Sequence, residues 1–123
     1  ERRVGKDVFA CVDLGGRRII KKKIFNICSI DSFNAYANGG SYSISKFALA
    51  GFTKTYVKIK AHGIKVTGVY PGAVYTASWD GSGVDPKRIM EATDVATMIV
   101  AAASLSITAV VEDIVLRPQL GDL

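Results

Sequence analysis

The sequence predicts an α/β fold built on a parallel sheet, from three observations. Short, nearly continuous apolar runs at 24–30, 64–70 and 109–116 have the character of strands buried on both faces. Segments with three- and four-residue apolar spacing lie between them and are long enough to be crossover helices. The order strand–helix–strand–helix–strand implies right-handed connections and part of a doubly wound sheet.

The first strand is Ile24-Phe-Asn-Ile-Cys-Ser-Ile30, and residues 31–40, which contain Asn38-Gly39-Gly40, form a loop. Ser41 offers an N-cap to a long helix whose apolar positions are Ile44, Phe47, Ala48, Phe52 and Tyr56. Phe47, Leu49 and Phe52 are either core or a surface on which helices of two subunits pair. Gly63 ends that helix as a left-handed cap, with His62, the single histidine, in a capping position before it. Ile64–Tyr70 is the second strand, ended by Pro71-Gly72, and a loop of small residues follows through Trp79 to Gly83. Asp85-Pro86 and Thr93-Asp94 are two helix starts, the main helix running from about Asp94 to Ser104. Ala109–Leu116 is the last strand, and Pro118 stops it. Val8–Val12 fits a helical turn or a strand equally, and Gly15-Gly16 interrupts it. No internal repeat is present.

A chain of 123 residues, 49% hydrophobic and 22% charged, has the size and composition of one globular domain. No apolar run reaches the roughly 20 residues of a membrane helix, and Glu1-Arg-Arg-Val-Gly-Lys-Asp7 is unlike a signal peptide. Cys11 and Cys28 fit no metal or redox spacing, so no metal site is expected and a reduced, cytoplasmic setting is the simplest expectation. Residues 1–23 hold eight basic residues against three acidic ones, a surplus of five that accounts for the whole net charge of +5. The chain therefore divides into a basic segment, 1–23, and an electrically neutral α/β segment, 24–123. Such a segment could meet nucleic acid or anionic lipid, but with Phe9 as its one aromatic it lacks the interleaved rings of a single-strand binder. A solvated lead-in to the first strand is the simpler expectation.

Ser29, Tyr42 and Lys46 form a candidate catalytic group. Ser29 ends the first strand, Tyr42 follows thirteen residues later at the helix start, and Lys46 lies one turn beyond it. Tyr-x-x-x-Lys alone is weak, and Tyr56-x-x-x-Lys60 repeats it in mid-helix, where amphipathic spacing explains it. Position selects the first pair, beside the carboxyl end of a parallel strand, where such sheets bind ligands. A phenol ordinarily titrates near pH 10; a neighbouring ammonium and a helix N-terminus both favour its phenolate, suiting it to acid–base work. Ser29 can hydrogen-bond the reacting oxygen and hold it near the phenol. Asp31 and Tyr36 either line a substrate pocket or belong to a solvated loop; Tyr75 and Trp79 either flank substrate or pack on the sheet.

These motifs resemble the short-chain dehydrogenase/reductase family over residues 23–123. Asn26-Ile-Cys-Ser29 is similar to its strand leading to the catalytic Ser, Tyr42-Ser-Ile-Ser-Lys46 to its Tyr-x-x-x-Lys box, and Pro71-Gly72-Ala-Val-Tyr-Thr76 to its Pro-Gly motif. Val111–Leu116 with Arg117-Pro118 resembles its last strand. The resemblance implies the C-terminal, catalytic half of a Rossmann-like oxidoreductase transferring hydride between NAD or NADP and a carbonyl or alcohol. It implies Tyr42 as acid–base and cofactor contact, Lys46 as its modifier and ribose contact, Ser29 as oxygen-orienting donor, and Pro71, Gly72, the Val74 backbone and the Thr76 hydroxyl around the nicotinamide. The sequence departs from the family in having no glycine-rich phosphate loop and no Asn in residues 1–10, where a catalytic Asn would stand. The alternative is a catalytically silent half-fold acting as an interaction or oligomerisation module. In both cases the first strand's open edge calls for a second copy or a complementing N-terminal half.

Overall fold

Val66, Thr67, Gly68, Val69 and Tyr70 are consecutive and all buried, the pattern of a strand with a neighbour on each edge and cover on each face. In the computed structural model, which describes residues 10–12, 18–20, 23–37, 39–57 and 63–123, that strand is the middle of a parallel sheet. In chain order the elements are β1 (Ala10–Val12), β2 (Arg18–Ile20), β3 (Lys23–Ile27), α1 (Gly40–Val57), β4 (Lys65–Pro71), α2 (Ala92–Ala103) and β5 (Asp113–Leu116). The sheet order is β3-β4-β5, with Ile24 opposite Val66 and Val69 opposite Ile114. The expected α/β parallel sheet is therefore present. Of the run Val8–Val12, the described part Ala10–Val12 is a strand: β1 pairs antiparallel with β2, Cys11 opposite Ile19. The expectations for His62, Lys60, Gly15-Gly16 and most of the basic segment fall on residues outside those described.

Several boundaries move, each for a local reason. β3 begins at Lys23, inside the stretch assigned to the basic segment. Lys23 and Lys65 are register partners, and their ammonium groups turn to the far end of α2. Lys23 donates to the Ala103 carbonyl, an acceptor at the negative end of the helix dipole, and Lys65 donates to the Ser106 carbonyl at 2.6 Å in the turn that follows. α1 starts at Gly40, so Ser41 lies in its first turn rather than capping it. Gly63 has the expected positive φ, +68°. Asp85-Pro86 opens a single 3₁₀ turn, Pro86–Arg88, with the Asp85 carboxylate accepting from the Lys87 amide at 2.9 Å. α2 starts two residues early, because Glu91 stands before it and its amide donates to the Asp94 carboxylate at 3.1 Å. β5 is shortened: the Val111 carbonyl accepts the Thr67 hydroxyl at 2.6 Å, so regular pairing with β4 begins only at Asp113.

The alternatives left open for α1 are decided by burial. The apolar stripe is the exposed one: Ile44 is 73% exposed, Phe47 44% and Phe52 40%. The buried stripe is small and polar, consisting of Ser43, Ala50 and Thr53, with Leu49 packed beside it. Thr53 is fully buried; its hydroxyl donates to the Leu49 carbonyl at 2.7 Å and accepts from the Asn26 amide at 2.9 Å. Cys28 and Tyr70 complete this small core, and the Phe33 ring lies 4.4 Å from that of Tyr70. Burial pushes the Cys28 thiol and the Tyr70 phenol above their ordinary values. The Tyr70 ring folds back over Gly68, where a Cβ would stand 2.6 Å from the phenol oxygen and 2.7 Å from Cε2.

No helix among the described residues is long and apolar enough to cross a membrane. Because the Tyr70 ring is walled in by the core, Gly68→Ala is expected to destabilise the chain by about 1–3 kcal/mol. A lower urea midpoint would register this, and an unchanged midpoint would show that the ring can move aside.

Candidate active site

Thr53 and Ala50 fix one face of α1 to β3 and β4, and four residues per step back along that face stand Lys46 and Tyr42. Anchoring the far end of the helix thus carries its first two turns over the end of β3, where Ser29 lies. The Lys46 ammonium donates to the Ile27 carbonyl at 3.0 Å and sits 5.5 Å from the centre of the Tyr42 ring. Tyr42 is 52% exposed and Ser29 5%. The Lys46 carbonyl accepts the Ser32 hydroxyl at 2.8 Å, a second tie between α1 and the turn after β3.

Ser29 caps a 3₁₀ turn, Ile30–Ser32, by accepting the Asp31 amide N–H at 3.2 Å. Its own hydroxyl donates to the Asp31 carboxylate at 3.0 Å, and the other oxygen of that carboxylate accepts the Ser43 hydroxyl at 3.2 Å. Asp31 therefore bridges the two elements that carry Ser29 and Tyr42.

Across the sheet end, Gly72 donates its amide to the Leu116 carbonyl at 2.8 Å, and a Cβ there would stand 3.1 Å from Pro118 Cδ. The chain then pairs at Val74 with Met90. The bonds of that bridge run from Met90 N–H to the Ala73 carbonyl (3.1 Å) and from Tyr75 N–H to the Met90 carbonyl (2.8 Å). Val74's own amide and carbonyl take no part in these two bonds. Thr76 exchanges a hydroxyl contact of 2.7 Å with Ser78.

Ser29, Tyr42, Lys46, Pro71, Gly72, Val74 and Thr76 all line one open cleft of about 850 Å³. Asp31, Tyr36 and Trp79, left undecided by sequence, line it too; Tyr75 does not, its hydroxyl turning to Asp80 at 3.2 Å. Sequence reasoning missed Asp122 and Leu123, which form part of the wall. The Asp122 carboxylate accepts the Tyr36 hydroxyl at 2.7 Å and pairs with Arg117. The Arg88 guanidinium donates to the carbonyls of Leu120, Gly121 and Asp122 at 3.0–3.2 Å. This strap ties the loop after β3 to the turn before α2. No local motif announces it, since Tyr36 lies 86 residues from Asp122 and Arg88 lies 32–34 residues from the carbonyls it holds.

The Tyr36 hydroxyl, then Arg117, hold the Asp122 carboxyl below the usual carboxylate range. A depressed carboxyl stabilises the fold above its unfolded pKa, near 4, and that contribution is lost as pH falls through the folded value. Acidification below about pH 4 is therefore expected to release the strap, read as faster amide exchange at Gly121, whose N–H donates to the Pro118 carbonyl. Tyr36→Phe should move the release to higher pH; an unchanged midpoint would remove Tyr36 from the tether.

The short chain dehydrogenase family model matches residues 9–86. Sepiapterin reductase of Chlorobaculum tepidum is 33% identical over 102 residues, covering 81% of this chain and 42% of that protein. The 2-dehydro-3-deoxy-D-gluconate 5-dehydrogenase of Bacillus subtilis is 36% identical over 85 residues, covering 66% of this chain and 34% of that protein. Among solved structures, a β-ketoacyl-[ACP] reductase from Bacteroides thetaiotaomicron superposes with a TM-score of 0.65 at 30% identity, over 80% of this chain and 40% of that one. A serine dehydrogenase complexed with NADP+ gives 0.73 at 19% identity, over 82% of this chain and 46% of that one, a likeness of fold. The chain spans less than half the length of these relatives.

Proposed function

The chain belongs to the short chain dehydrogenase family, and on that premise we propose that it acts as an NAD(P)-dependent oxidoreductase moving hydride between a nicotinamide and a carbonyl or alcohol. One observation carries this reading: Ser29, Tyr42, Lys46 and the Pro71–Thr76 turn converge on one cleft. The cleft suits the nicotinamide end of such a cofactor, because Val74 and Thr76 both line it and the bridge to Met90 engages neither the amide nor the carbonyl of Val74. Pro71 and Gly72 line the same cleft, and a Cβ at Gly72 would crowd Pro118.

The bound nicotinamide supplies or accepts the hydride. Tyr42 gives a proton from its hydroxyl to the substrate oxygen on reduction and takes one back on oxidation. Lys46, tethered to the Ile27 carbonyl, keeps a positive charge beside the phenol and is placed to contact the cofactor ribose. Ser29 orients the reacting oxygen by a hydrogen bond.

In this proposal residues 24–123 serve as the catalytic half, the glycine-rich cradle for the pyrophosphate comes from a complementing N-terminal half, and a second copy would pair through the surfaces this chain leaves exposed. The exposed Ile44 and Phe47 on α1 and Ile27, 48% exposed on β3, favour such assembly over a free-standing monomer. Residues 1–23 are a basic lead-in, and the free, buried thiol of Cys28 suits a cytoplasmic setting.

Titration with NADH and NADPH, followed by nicotinamide fluorescence, is expected to saturate. Thr76→Ala or Lys46→Ala should each weaken binding about tenfold, the worth of a good hydrogen bond or charge contact. Tyr42→Phe should leave affinity intact while lowering kcat by roughly 10²–10⁴-fold. No saturation by a chain that is folded by circular dichroism would leave the interaction-module alternative in possession. Sedimentation should give a mass above 13.1 kDa, reduced by Ile44→Glu; a monomer throughout would count against assembly through α1.

A further inference from the structure

We propose that a second cleft, bounded by the turn before α2, by α2 and by the residues after β5, binds a small amphipathic carboxylate. Lys87 and Arg88 hold the anionic head, and apolar side chains receive the chain attached to it. The inference stands apart from the hydride-transfer reading, since the two clefts share no lining residue.

The second cleft has a volume of about 700 Å³, the size of cavities that take small molecules. Its apolar lining is Ile89, Met90, Met98, Leu116, Pro118 and Leu120. Ile89 and Pro118 are buried, whereas Met98 is 41% and Leu120 75% exposed. A bound chain covers part of that apolar surface, which is favourable in proportion to the area removed from water. No tyrosine, serine, cysteine or histidine lines the cleft, so it suits binding rather than turnover.

Charge fixes the sign of the ligand. Lys87, Arg88 and Arg117 line the cleft, with Asp94 as its one carboxylate. Arg117 is paired with Asp122, and the Asp94 carboxylate is turned to the Glu91 amide at 3.1 Å. Lys87 and Arg88 remain. The Lys87 ammonium makes no hydrogen bond or ion pair among the described residues. Arg88 donates to three neutral carbonyls, those of Leu120, Gly121 and Asp122, at 3.0–3.2 Å. Of the five N–H donors of a guanidinium this leaves two, already positioned by the bonds the others make. The two cations are neighbours on the 3₁₀ turn Pro86–Arg88, which the Asp85 carboxylate caps through the Lys87 amide at 2.9 Å. A carboxylate gives such donors charge-assisted hydrogen bonds, stronger than those of a neutral oxygen. A bare anion would leave the apolar lining uncovered, and a neutral alcohol would leave the two cations unmatched.

Hexanoate, 1-hexanol and acetate separate these contributions, each titrated into the 123-residue chain at neutral pH and followed by amide NMR. Hexanoate is expected to saturate, with shifts concentrated at Lys87, Arg88, Met98 and Leu120. It should bind about fivefold or more tightly than 1-hexanol and about tenfold or more tightly than acetate. Lys87→Ala, on an exposed turn, should bring hexanoate down towards 1-hexanol and leave 1-hexanol unchanged. Met98→Asp should weaken both chain-bearing probes. Circular dichroism verifies the fold of each variant. Equal affinity for hexanoate and either other probe overturns the proposal, as does a preference for hexanoate that survives Lys87→Ala. Shifts centred on Lys46 and Tyr42 would place the carboxylate in the other cleft and overturn it too. Absence of saturable binding overturns it as well, while the NADH titration reports on the hydride-transfer reading separately.

Discussion

The fully buried hydroxyl of Thr53 is the contact on which the rest of this structure depends. It stands where α1 crosses β3, donating to its own helix at Leu49 and accepting from Asn26 on the strand. Small neighbours, Ala50 and Cys28, let helix and sheet approach closely there. Once that crossing is fixed, helical geometry dictates the remainder, since Tyr42 and Lys46 share the face of Thr53 and must emerge over the carboxyl end of the sheet. A larger apolar residue at Thr53 would lose both hydrogen bonds and lift the helix off the strand. The position of the candidate acid–base pair is thus a consequence of packing about three turns away.

Among the described residues, several charged groups serve as tethers. Asp31 joins the turn after β3 to the start of α1; Asp122, with Tyr36 and Arg117, joins the last described residues to the same loop. Arg88 holds three carbonyls of the strap, Lys23 holds the last carbonyl of α2, and Lys65 holds a carbonyl of the turn after it. Each tether crosses between segments that the sheet alone does not connect. The cleft is consequently walled by loops yet held by specific bonds, an arrangement that positions functional groups without a large core beneath them. Lys46 combines both uses, bonded to the Ile27 carbonyl while remaining on the cleft wall beside Tyr42.

Much of the fold was legible because parallel strands buried on both faces read as short unbroken apolar runs, and β4 is the clearest instance. The trio of Ser29, Tyr42 and Lys46, and the Pro71–Thr76 turn, were legible because they lie at strand ends and helix starts that the pattern marks. The orientation of α1 was not. Its apolar stripe, Ile44, Phe47 and Phe52, suggested the buried face as readily as a pairing surface, whereas the buried face is built from serine, alanine and threonine. Polar residues bury cheaply when a backbone carbonyl or an asparagine satisfies them, and composition alone cannot show that such partners lie opposite. Asp122 and Tyr36 were opaque for a related reason, since two residues 86 apart meet only after the sheet has formed. Asp31 was visible as a polar loop residue, but its two serine partners were not.

The central claim is that the cleft between α1 and the Pro71–Thr76 turn receives a nicotinamide. Nicotinamide mononucleotide tests it most directly, because it carries the nicotinamide and ribose without the pyrophosphate–adenosine end that needs a glycine-rich loop. In an amide NMR titration of the chain, the account predicts shifts concentrated at Lys46, Gly72, Val74 and Thr76, with Tyr42 responding at the helix start. Shifts confined to other surfaces, or none at these residues while the fold is intact, would contradict it.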